Sequence, residues 1–309
     1  MLASVFNKSR PVNFAIIALM LIAFYFAYIF KDTLWTESYA AVAEKTAMLL
    51  LLAGSLFLIN FITRRNTLSR ANTYAMFLYM VFLILFPTIF LNSRIIVANF
   101  LVLLALRRLI SMQSLITPKE KIFDASFWIL AAAVFHFWCI LFIVLVFISI
   151  VFHVSRDYRN WLIPFIAFFA VSVIYSMVSL AITGEFFGDI ANEAAISFDF
   201  TYFENIYQNI ALALFSSVTV LFAISQFVSL PGKPLNLQAS YKKIYFSFAI
   251  GVAIYVLSAH KNNSFLAFTF APLSVMGANY LEGQDNVWFK EIVLGIIVLG
   301  ALVLFASQL

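Results

Sequence analysis

The sequence predicts an all-α fold: a polytopic transmembrane helical bundle of about nine full spans plus one buried helical hairpin over 125–152, with residues 1–309 forming a single integral-membrane domain. Three observations predict it. Hydrophobic residues make up 64% of the chain and charged residues 11%, against roughly half and a quarter in a soluble globular domain. The apolar runs are continuous, which excludes a transmembrane β-barrel, whose strands alternate lipid-facing and lumen-facing positions. Basic residues flank those runs, so the net charge of +5 reads as an orientation signal and not as a nucleic-acid surface. The lipid bilayer is the expected partner; nucleic acid is not.

The elements follow from the N-terminus. Lys8 and Arg10 precede an apolar stretch over 13–30, which reads as an uncleaved first span with a cytoplasmic N-terminus. The small-residue segment "AAVAEK" lies too far past that stretch to be its cleavage site. Further spans are expected near 46–63, 73–91, 95–111, 161–182, 208–230, 243–259, 264–281 and 288–308. Pro87, Pro164 and Pro272 fall inside spans and predict kinks or broken helices there. A lone cysteine, Cys139, excludes an intrachain disulfide.

The run over 125–152 is 28 residues long with His136 near its middle. One crossing takes about 20 apolar residues and two take about 40. Charge counting decides between them. If the run returns to its starting side, 15 lysines and arginines fall on one side and 4 (Lys31, Lys45, Arg94, Lys261) on the other. If it crosses once, the division is 10 to 9. The positive-inside bias selects the hairpin. Its tip, His136 flanked by Phe135, Phe137 and Trp138, must then be buried in protein or line a wet cavity, because lipid cannot satisfy a turn's backbone.

The chain has no glycine-rich phosphate loop, no H-E-x-x-H, no G-x-S-x-G and no paired cysteines. Three histidines without close spacing predict no metal site, and no cofactor is implied. The candidates are ionisable groups on the expected external side. His136, at membrane depth, is the first candidate for a catalytic proton carrier; its alternative is a neutral imidazole bonded to a carbonyl freed at the turn. Arg94, in "FLNSRIIVANF", could hold a phosphate bidentately or reach a lipid headgroup. His260 and Lys261, in "LSAHKNNSFLAF", form a second basic group for substrate, or a polar turn between spans. The loop "GEFFGDIANEAAISFDFTYFEN" carries five carboxylates and no base. Glu185 or Asp189 could serve as a general base there, the alternatives being an interfacial cap over a cavity and a solvated loop. On the other side, "LRRLISMQSLITPKEKIFDASF" reads as a basic connector facing anionic headgroups. Arg107 and Arg108 in it could also bind a nucleotide phosphate, although orientation alone explains them.

Three stretches, "NKSRPVNFAII", "KIFDASFWILAAAVFHFWCILFIVLVF" and "DYRNWLIPF", resemble an uncharacterised integral-membrane family of gliding-type bacteria, a domain of unknown function that covers nearly the whole chain. That resemblance implies a multi-pass protein of the bacterial inner membrane. More weakly, "AVFHFWCILFIVLVF" resembles the EpsG- and Wzy-like polysaccharide polymerases. This second resemblance implies a glycan polymerase or glycosyltransferase acting on a polyprenyl-linked glycan at the external face. Arg94, Lys261 and His260 would lie on the lipid-linked substrate, with His136, Glu185 or Asp189 in catalysis. The competing expectations are a non-enzymatic subunit or scaffold of an envelope or secretion complex, and a transporter.

Overall fold

Two helices of this computed structural model are buried on every side, and the others are arranged around them. The structure describes residues 2–31, 38–182, 194–198, 206–259 and 261–309. Among the described residues the α-helices are α1 (Leu2–Phe6), α2 (Pro11–Ile29), α3 (Tyr39–Arg65), α4 (Tyr74–Leu85), α5 (Ser93–Ser111), α6 (Pro118–Phe135), α7 (Ile143–His153), α8 (Arg159–Ile182), α9 (Ile206–Ser229), α10 (Leu235–Leu257), α11 (Ala267–Gly283) and α12 (Val287–Gln308). Every residue of α4 and every residue of α11 from Ala267 to Leu281 is buried, as expected of helices apolar all round. Phe82 of α4, Phe86 just past its end, Phe215 of α9 and Phe270 of α11 pack ring to ring between them, with centroids 5.3–5.8 Å apart. At the rim, only 11% of the apolar window of α8 is buried, so that helix faces lipid.

Among the described residues seven helical segments are long and apolar enough to cross a bilayer, and the chain is a multi-pass membrane protein. The spans expected near 73–91 and 243–259 take other forms. Proline has no N–H to continue a helix and restricts the residue before it. At Pro87, therefore, α4 ends after 12 residues and the chain passes into a 3-10 turn, Pro87–Leu91. The second of these spans belongs to α10, which starts earlier and takes Lys242 and Lys243 into its length. The Lys243 side chain is wholly buried, with its amine donating to the Leu109 carbonyl.

The long run turns back. α6 ends at Phe135, where the His136 N–H still bonds to the Ala132 carbonyl, and His136 itself is extended (φ −148°, ψ 106°). A 3-10 turn over Phe137–Phe142 then leads into α7. The far end of α7 lies beside the start of α6: Lys119 Nζ is 3.1 Å from Asp157 Oδ2. The Asp157 carboxyl is held below the usual range by the Arg159 N–H and the Lys119 amine. The first arm is longer than the apolar run alone suggests. The 18 residues of α6 span ~27 Å, close to the roughly 30 Å hydrocarbon thickness. Helix α6 reaches back to Pro118 because its internal charges are satisfied: Asp124 pairs with Arg108 at 2.8 Å, and the Lys121 amine donates to Ser111 O and Ser114 Oγ at 2.8 Å.

This return assembles the basic residues at one end. The Ser9 N–H bonds to Ala71 O, which joins Lys8 and Arg10 to the turn after Arg64 and Arg65. Tyr241 Oη donates to Leu68 O beneath the Lys233 ammonium, and Lys242 lies over Phe152. Ser4 N–H meets Glu291, next to Lys290. At the opposite end the Lys31 amine donates to Gln308 O, and Tyr25 Oη to Lys45 O. With Cys139 replaced by serine, we expect Ile116→Cys and Ser155→Cys to react with an impermeant maleimide from the same side of the membrane, and Tyr39→Cys from the other. Labelling of Ser155→Cys together with Tyr39→Cys would contradict the hairpin.

Candidate functional site at the hairpin tip

Ser258, at the end of α10, joins the features around the tip. His136 Nε2 lies 3.1 Å from Ser258 Oγ. The serine's one proton goes to the Ile254 carbonyl at 2.7 Å, so proton counting makes Nε2–H the donor to Ser258 Oγ. The imidazole is 7% exposed and lies against two rings, Phe265 at 4.7 Å and Phe268 at 5.7 Å. The tip is therefore buried in protein, held by aromatic faces and a hydroxyl.

The Ser258 carbonyl accepts from Lys261 Nζ at 3.3 Å, and the same amine donates to the Ser197 carbonyl. Ile196 forms an antiparallel bridge with Ser258, and the Ser197 N–H bonds to Leu257 O at 3.4 Å. Residues 194–198 lie within the acidic loop. Its middle is thus fastened beside the tip, and the buried Lys261 holds it there.

Non-helical backbone gathers at this point. The 3-10 turn Asn263–Leu266 leads into α11 and meets the Pro87–Leu91 turn, with Ser264 Oγ 3.5 Å from Thr88 Oγ1. Asn263 Nδ2 donates to Gln208 O on the first turn of α9. Among the described residues, three polar atoms on the flanking residues, Trp138 Nε1, Tyr255 Oη and Asn263 Oδ1, are buried without a hydrogen-bond partner.

Of the expected site residues, the structure brings together His136 and Lys261. Arg94 is at the same end, exposed on the first turn of α5, whose N-terminus Asn92 caps by accepting from the Ile95 N–H at 3.3 Å. Glu185, Asp189 and His260 lie outside the described residues. Among the described residues no group of three metal-ligating side chains occurs. Sequence reasoning missed Ser258 and Ser197. The available signal was a hydroxyl in the last turn of an apolar span, directly before the polar segment 260–264, where a buried tip needs a partner.

The chain belongs to a family of unknown function (DUF6427), whose model matches residues 5–309. No curated protein and no solved structure matches it.

Proposed function

We propose that this member of a family of unknown function is a bacterial inner-membrane protein that acts on a lipid-linked substrate at the external face. The substrate class is a glycan carried on polyprenyl pyrophosphate. The single observation that supports this most is the fastening of the acidic loop, through Ser197 and Lys261, onto the residue that holds His136. The basic end takes the cytoplasmic side by the positive-inside bias, which makes the His136 end external and leaves the N-terminus in the cytoplasm.

In this reading an acceptor hydroxyl of the glycan attacks the anomeric carbon of the lipid-linked sugar. The new C–O bond forms as the bond from that carbon to the pyrophosphate oxygen breaks. The polyprenyl pyrophosphate leaves with the electron pair, and the acceptor proton passes to His136 or to a carboxylate of the loop. Arg94 and Lys261 supply positive charge beside the departing phosphate, and fixed charges of this kind carry much of the rate in phosphate-leaving reactions. We expect Arg94→Ala and His136→Gln each to lower glycan transfer in membrane vesicles by about 100-fold or more, with protein level and elution profile unchanged. Unaltered transfer in both variants would remove the reading.

One observation favours a second reading, a non-enzymatic subunit of an envelope complex. His136 and Lys261 both make bonds inside the protein. This reading expects the alanine variants to retain activity while changes on the lipid-facing side of α8 release a co-purifying partner.

A further inference from the structure

At the end opposite His136, the last turn of α3, the last turns of α5 and the first turn of α6 line an open cavity of about 720 Å³. Four cations line it, Arg65, Arg107, Arg108 and Lys121, and among the described residues no carboxylate does. Its size falls in the range of small-molecule sites. We propose that this cavity binds a phosphate group, carried by a soluble compound or by a phospholipid headgroup. The inference is independent of the reading at the hairpin tip.

The cations are prepared for an anion. Lys121 is 8% exposed, and its amine is aimed by two bonds, to Ser111 O and Ser114 Oγ, which leave its third hydrogen for a ligand. The Arg107 guanidinium lies 4.6 Å over the Phe61 ring, a stacking that fixes its plane and leaves its N–H edge to face an oxygen pair. Arg108 gives one nitrogen to Asp124 at 2.8 Å and keeps further donors. Among the described residues neither Arg65 nor Arg107 has a carboxylate partner. Arg108 alone of the four has a carboxylate partner among the described residues, so the charge facing the cavity is net positive. Glu120, on the first turn of α6, is exposed and does not line the cavity.

The backbone around the cavity is also unusual. Among the described residues three non-glycine positions take left-handed φ: Thr67 (53°), Leu115 (54°) and Thr117 (44°). Thr67 lines the cavity, and the other two flank Ile116, which also lines it. Residues held in such conformations cluster at binding sites, where surrounding structure over-determines them. Here they bring the α3 turn and the α5–α6 turn around one space.

A phosphate group reaches this place from two sources, a phospholipid headgroup or a soluble phosphate compound, and the test separates them. Full-length protein is titrated with inorganic pyrophosphate in phosphatidylcholine nanodiscs. In parallel, retention of phosphatidylglycerol is measured by native mass spectrometry. Binding in either arm, weakened tenfold or more in the Arg65→Gln/Arg107→Gln double variant, is the expected result. Pyrophosphate binding assigns a soluble ligand, and phosphatidylglycerol retention alone assigns a headgroup. Because Arg107→Gln also removes a contact with Phe61, Arg65→Gln alone is tested as well. It is exposed, should fold as wild type, and should weaken binding at least threefold. Arg70→Gln, at the same end but outside the cavity, should leave binding unchanged. Absence of binding in both arms, or equal weakening by Arg70→Gln, overturns the proposal.

Discussion

Gly277→Leu is expected to prevent accumulation of folded protein, with a loss of about 3 kcal/mol or more in stability. Gly277 sits on α11, where that helix passes between α4 and α9. A Cβ added there would lie 2.5 Å from the Phe222 ring and 2.6 Å from a Leu78 methyl, both distances shorter than real contacts allow. Both neighbours are fully buried, so neither ring nor methyl has free space to move into. In a bilayer no hydrophobic driving force holds helices together, and close approach at small residues supplies much of the packing energy. Leucine here therefore costs strain and separates the two central helices from α9. Gly295→Leu in α12 is the matched control: nothing lies within 4 Å of its added Cβ, and the expected change is within about 0.5 kcal/mol. Detergent extraction, size-exclusion elution and thermal melting read both variants. Wild-type elution and melting of Gly277→Leu would show that α4, α9 and α11 are not packed as described.

Much of this arrangement is legible from charge and apolar length. The division of fifteen basic residues from four follows from where each falls between apolar runs, and only a returning hairpin at 125–152 preserves it. The hairpin's arms were harder to read. Lys121 and Asp124 read as the boundary of an apolar run, yet they lie inside α6 because Ser111, Ser114 and Arg108 satisfy them. Those partners are on the preceding helix and its exit turn, so their role depends on how α5 and α6 pack. The break of the 73–91 span at Pro87 was visible as a proline but not as a change from α-helix to 3-10 turn.

The candidate sites show the same boundary between local and long-range information. His136 was legible as a lone ionisable group at the middle of a long run. Its partner Ser258 is 122 positions away, and one serine at a span end looks like any other. Lys261 was expected to face a substrate phosphate; the structure gives its amine two main-chain carbonyls, on Ser258 and Ser197. Arg107 and Arg108 read as orientation residues because their neighbour in space, Arg65, belongs to a helix two elements earlier.

Lys261→Met is the variant that tests the fastening of the acidic loop. Methionine keeps the length and apolar volume of the stem but removes the donor to Ser258 O and Ser197 O. Hydrogen bonds from a charged donor contribute about 1.5–3 kcal/mol, and a buried acceptor left unpaired costs about 1–3 kcal/mol. The loss falls on the contact between the loop and α10, whose other described bonds are the Ile196–Ser258 bridge and the 3.4 Å bond from the Ser197 N–H to Leu257 O. Protection of that amide in hydrogen exchange should fall about 10- to 100-fold, equivalent to about 1.4–2.8 kcal/mol of local opening. The helices of the core should keep their protection, since Lys261 is outside them. If glycan transfer is the activity, Lys261→Met should lower it together with this local opening. Arg94→Ala should lower it with the loop still protected, because Arg94 is on the exposed start of α5. Undiminished protection of Ser197 in Lys261→Met would mean that the amine does not hold the loop.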